Sequence, residues 1–76
     1  MEIATEHYID AKGMLCPLPV LKFKKYIKDL TPGDVIRIDT TDPDSVKDFN
    51  IFSEMKGYKI VSLVEHAKSF SFVIEI

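Results

Sequence analysis

Two prolines spaced two apart, Pro17 and Pro19, fix one point of the fold before the rest of the chain is read. A proline holds φ near its helical value and lacks an N–H that the first helical turn leaves unused, so it suits a helix start and breaks a helix interior. Behind the prolines, Val20, Phe23, Tyr26, Ile27 and Leu30 fall on one side of a helix turning at about 100° per residue. An amphipathic helix from about Pro17 to Leu30 is expected, with Leu21, Lys24, Lys25 and Lys28 on its opposite side. Leu21 in that basic field is either an ordinary exposed leucine or part of a docking surface. Cys16, the only cysteine, stands directly before the prolines. A residue preceding proline is pushed toward extended geometry, which makes Cys16 a rigid lead-in. Pro19 exerts the same bias on Leu18, so regular helix can begin as late as Pro19.

Glycine and proline punctuate the remainder. His7 to Ala11 reads as a short strand, followed by a Lys12-Gly13 turn. Thr31-Pro32-Gly33-Asp34 stops the first helix. Val35 to Thr40 alternates as a half-buried strand does, with Ile36 and Ile38 inward. Asp42 before Pro43 is a helix start, and the helix that follows carries Val46, Phe49, Phe52 and Met55 inward as far as Gly57, an αL cap. Tyr58–Glu65 and Phe70–Ile76 form a hairpin turning at His66 to Ser69, and Phe70, Phe72, Ile74 and Ile76 share one face. The order is βαβαββ. A right-handed crossover makes the first two strands parallel. Two helices cover only one face of four strands, so the expected fold is a two-layer α/β sandwich with a four-stranded mixed sheet. Tyr8, Arg37, Asp39 and Glu75 then lie on the uncovered face.

Length and composition narrow the class. Seventy-six residues make one domain spanning 1–76, and 46% hydrophobic residues with five Phe suffice for a core without staples. A single cysteine excludes an internal disulfide, a CxxC pair and a multi-cysteine zinc site. The acidic N-terminus lacks the apolar stretch of a signal peptide and no run reaches membrane-spanning length, so a reduced cytoplasmic location is expected. A net charge of −2 gives no global case for nucleic-acid binding, although Lys22, Lys24, Lys25 and Lys28 cluster on one helix.

The chemistry centres on the thiol. A helix N-terminus lowers a thiol pKa through unpaired N–H groups and the helix dipole. Prolines at 17 and 19 leave only Leu18 and Val20 as nearby donors, so a modest lowering is expected. His7 and His66 have no motif around them. Asp42, Asp44 and Asp48 sit where carboxylates serve a helix start, so no metal site is expected.

Gly13 through Pro19, Pro32-Gly33-Asp34, Asp42-Pro43, Lys47-Asp48-Phe49 and Gly57-Tyr58 together resemble the TusA/SirA-like sulfur-carrier family, over nearly the whole chain. The resemblance implies that Cys16 accepts a sulfane sulfur as a persulfide, framed by Gly13, Pro17, Pro19, Asp42 and Pro43. It implies a cysteine desulfurase or rhodanese-type donor, a downstream acceptor protein, and no cofactor. The pathways it covers are tRNA thiolation, molybdenum cofactor synthesis and sulfur oxidation. With no second cysteine, sulfur leaves by attack from a partner's thiol or an activated substrate. Leu18, Leu21, Lys22, Lys24 and Lys25 are the expected docking residues, and the chain is expected to be a monomer. Leu15 and Leu18 stand where the relay branch has a basic and often an acidic residue, which makes this surface more apolar. The competing reading is a regulatory or RNA- or protein-binding module of the same fold; the net acidic charge weighs against direct nucleic-acid binding.

Overall fold

In the computed structural model, which describes residues 7–76, alternating apolar residues draw four strands into one sheet. The strands are β1 (His7–Ala11), β2 (Val35–Thr40), β3 (Lys59–Glu65) and β4 (Phe70–Glu75), in the order β1-β2-β4-β3. β1 runs parallel to β2 with Ile9 opposite Ile38. β4 lies antiparallel to β2, placing Ile36 opposite Ile74 and Ile38 opposite Phe72. β3 forms the far edge, and its pairing with β4 slips by one residue between Ile60 and Ser62, a bulge.

Helices α1 (Leu18–Ile27) and α2 (Asp44–Lys56) cover one face. Ile9, Ile36, Ile38, Phe72 and Ile74 from the sheet meet Phe23 of α1 and Phe49 and Phe52 of α2 in the core. Phe49 sits at the centre, 5.5 Å edge-on from the ring of Phe23 and 4.9 Å from that of Phe72. Gly57 closes α2 with φ of 74°, and the Tyr58 N–H reaches the Ser53 oxygen at 2.9 Å. The sandwich and its mixed sheet are as the sequence predicts.

Three local expectations fail. α1 is shorter than Pro17–Leu30 because it tightens past Ile27, where the Leu30 N–H bonds the Ile27 oxygen across three residues at 3.0 Å. Tyr26 is 40% exposed and leans on β1, its ring edge-on to His7 at 5.9 Å. Met55 is 76% exposed. It lies roughly 120° around α2 from Phe49 at about 100° per residue, and Ser45 and Ser53 occupy the inward stripe beside Phe49 and Phe52.

Candidate functional site

β1 and β2 are parallel, so the loops at their C-terminal ends emerge side by side, the usual place for a site in such sheets. The first loop carries Gly13 and Cys16; the second carries Thr41, Asp42 and Pro43. Two hydrogen bonds clip them together. The Gly13 N–H donates to Thr41 Oγ1 at 2.8 Å, and the Cys16 N–H donates to Asp42 Oδ2 at 2.7 Å. Gly13 turns the chain at φ of +83°, a conformation side chains disfavour.

Asp42 also starts α2. Its Oδ1 accepts the Asp44 N–H at 3.0 Å, and its main-chain oxygen accepts from Ser45 N and Oγ. Pro43 precedes the first residue of α2. One carboxylate therefore ties the cysteine loop to the neighbouring helix. Hydrogen bonds from Cys16 N–H and then Asp44 N–H hold its carboxyl below 3.8.

The cysteine loop enters α1 through a cis Cys16–Pro17 bond. α1 begins at Leu18 despite the proline that follows it, with Pro19 buried in the second position. The Leu18 N–H is taken by the Leu15 oxygen at 2.9 Å, so one of the two donors expected to face the sulfur is engaged elsewhere. The half-buried Cys16 Sγ donates instead to Asp48 Oδ2, one helical turn beyond Asp44. That hydrogen bond, partial desolvation and the negative charges of Asp48, Asp42 and Asp44 push the thiol from its ordinary 9.0 up to about 11. This reverses the expected lowering: the carboxylates of α2 outweigh the N-terminus of α1.

Beside the sulfur, α1 and α2 enclose a groove of about 190 Å³ lined by Pro17, Val20, Asp48, Ile51, Phe52 and Met55. Leu15 and Leu18, on either side of the Cys16–Pro17 pair in the chain, are 72% and 52% exposed. Leu21 is half exposed. Among the expected docking residues, Lys22 is tied down, donating to the Asp10 main-chain oxygen at 2.7 Å. Lys25 is exposed, and Lys24 borders a separate cavity toward the other end of α1. Asp48 bonds the Cys16 thiol, Asp42 accepts from its N–H, and the charge of Asp44 acts on it from the start of α2.

The histidines serve elsewhere. His7 Nδ1 is 3.3 Å from the Tyr26 hydroxyl and His66 Nε2 is 3.2 Å from Ser71 Oγ. On the uncovered face, Tyr8 donates to Asp39 Oδ2 at 2.8 Å and Arg37 pairs with Oδ1 at 3.3 Å. Burial opposes the Asp39 charge most strongly, and hydrogen bonds from Ser71, Tyr8 and Arg37 nevertheless hold its carboxyl below 3.8.

Sequence reasoning singled out Cys16 and missed Asp48 as its hydrogen-bond partner. The spacing of Asp44 and Asp48 places both on one helix face, but only the packing of the two loops brings that face under the sulfur.

A family model described as Sulfurtransferase TusA matches residues 7–76. The chain is 39% identical over 67 residues to a sulfur carrier protein TusA of Allochromatium vinosum, covering 88% of each. It is 30% identical to that of Pseudomonas aeruginosa over 74 residues, covering 97% of this chain and 94% of the other. A crystal structure of a SirA-like protein from Desulfitobacterium hafniense superposes with a TM-score of 0.78 at 26% identity, covering 90% of this chain and 93% of that one.

Proposed function

Because the chain belongs to the TusA family of sulfur carriers, we propose that it holds sulfane sulfur as a persulfide on Cys16 and relays it between proteins. We read residues 7–76 as one carrier domain. The observation that carries this reading is the setting of the sole sulfur nucleophile, on a loop clipped by Thr41 and Asp42 at the mouth of an exposed apolar groove.

Loading is a sulfur transfer with no net redox change. The Cys16 thiolate attacks the terminal sulfur of a donor persulfide; the Sγ–S bond forms, the donor S–S bond breaks, and the donor leaves as a thiolate. The proton lost from Cys16 balances the one the donor thiolate takes up. Delivery repeats the step with an acceptor thiolate attacking the outer sulfur and Cys16 leaving. With the thiol raised to about 11, the free carrier holds its proton at neutral pH. A docked partner that withdraws or neutralises Asp48 releases the thiolate, which keeps the sulfur quiet between encounters.

The donor chemistry fits a cysteine desulfurase or a rhodanese-type protein, and the acceptor is a downstream protein of tRNA thiolation, molybdenum cofactor synthesis or sulfur oxidation. Leu18, Leu21 and the groove residues Ile51 and Met55 form the contact surface, with Lys22, Lys24 and Lys25 steering acidic partners. No helix among the described residues is long and apolar enough to cross a membrane. Incubation with a desulfurase and cysteine, read by intact mass, tests the reading. A gain of one sulfur atom that a thiol reductant removes supports it; no gain with any donor favours a non-catalytic binding module.

A further inference from the structure

A second cavity, of about 350 Å³, opens toward the C-terminal ends of α1 and α2, on the other side of Phe52 from the groove near Cys16. Its floor is apolar: Ile27 at the end of α1, Leu30 beyond it, Phe52 of α2 and Tyr58 before β3. Pro32 and Ile76 close one side, held together by the Gly33 N–H, which bonds the Ile76 oxygen at 2.6 Å. The rim is basic. Lys24 and Lys28 stand one turn apart on one side and Lys56, the last residue of α2, on another. No acidic side chain lines the cavity.

Cations near helix C-termini ordinarily offset the helix dipole, and these lysines do so. Each helix end, however, carries only about half a negative charge, whereas three full positive charges surround this opening. Among the described residues no carboxylate lies within ion-pair distance of any of the three. Positive charge over an apolar floor matches a ligand with a negative head and a hydrocarbon body. The volume falls in the range of small-molecule pockets, about 300–1,000 Å³.

We propose that this cavity binds a small amphipathic monoanion of the acyl-carboxylate class, its chain on Ile27, Leu30, Phe52 and Tyr58 and its carboxylate between Lys28 and Lys56. The cavity contains neither Cys16 nor the residues that hydrogen-bond to it, so its occupancy and sulfur loading are separable.

Titration of the isotopically labelled full chain with octanoate, followed by amide NMR, tests the proposal. Saturable shifts centred on Ile27, Leu30, Tyr58 and Ile76 are expected. Octanol, with the same chain and no charge, binds roughly tenfold more weakly. The double variant Lys28→Glu/Lys56→Glu weakens octanoate by about tenfold, and Lys28→Gln/Lys56→Gln gives a smaller loss, both with unchanged circular dichroism and unchanged persulfide loading. Absence of saturation at these residues overturns the proposal, and so does octanol binding as tightly as octanoate. Displacement of octanoate by a lower concentration of an oligoglutamate peptide also overturns it, in favour of an acidic protein partner.

Discussion

The backbone N–H of Cys16 donates to the Asp42 carboxylate at 2.7 Å, across 26 residues of sequence. The same carboxylate accepts from Asp44 at the start of α2. The height and direction of the cysteine loop are therefore set by the neighbouring helix, not by its own prolines alone.

Asp42→Asn should lower the urea midpoint and flatten the acid side of the stability profile. The native carboxyl titrates below 3.8 because Cys16 and Asp44 N–H groups favour its charge. A folded pKa below the unfolded one contributes stability above the unfolded value and loses it as pH falls through the folded one. Equilibrium unfolding at about pH 5 and about pH 3 checks this; an equal acid loss in the wild type and variant would count against the clip.

Asp48→Asn should make Cys16 more reactive. The thiol sits at about 11 chiefly because of its bond to Asp48. Returning it toward 9.0 raises the thiolate population roughly a hundredfold, while the lower basicity cuts intrinsic nucleophilicity, leaving a gain of up to roughly tenfold in alkylation rate at neutral pH. The raised thiol also contributes stability that is present below 9.0 and is lost as pH climbs from there to about 11. Alkylation kinetics against pH separate Asp48→Asn from the wild type, and identical profiles would refute a role for Asp48.

Phe49→Ala should cost about 3–5 kcal/mol of stability. The ring is fully buried between Phe23 and Phe72. For a domain this small that is a large share of the total, commonly about 5–15 kcal/mol. Denaturant unfolding measures it directly, and a loss under about 1 kcal/mol would mean that the core closes over the gap.

The order of elements was legible because Pro and Gly positions and apolar periods each mark a single boundary or face. Ile36, Ile38, Phe72 and Ile74 form the core as their alternation requires. The misread positions share one cause: they depend on contacts between segments. Met55 leaves the core because Ser45 and Ser53 take the inward stripe, with Ser45 bonded to Thr40 at 2.6 Å. Tyr26 turns to His7, which a helical wheel does not reveal. The cysteine was legible as a sulfur at a helix start, whereas its acidic partner came from a different helix.

Leu18→Asp should leave stability within about 0.5 kcal/mol, as expected of an exposed position. It should slow sulfur transfer about tenfold by placing charge on an exposed apolar position two residues from Cys16. Single-turnover transfer from a loaded donor reads the effect, and an unchanged rate would move docking away from this surface.

Lys24→Glu/Lys25→Glu should slow the same transfer at low salt and converge with the wild type at high salt, because steering by exposed charges is screened. A deficit that persists at high salt would point to direct contact instead.

The most direct measurement of the carrier role uses radiolabelled sulfur. The chain is loaded from a desulfurase with ³⁵S-cysteine, separated from the donor, and offered a fresh protein thiol. Retention of label by the purified wild type, its passage to the acceptor, and no label on Cys16→Ser are the predicted results. Label bound equally by Cys16→Ser, or none retained by the wild type from any donor, would contradict the account.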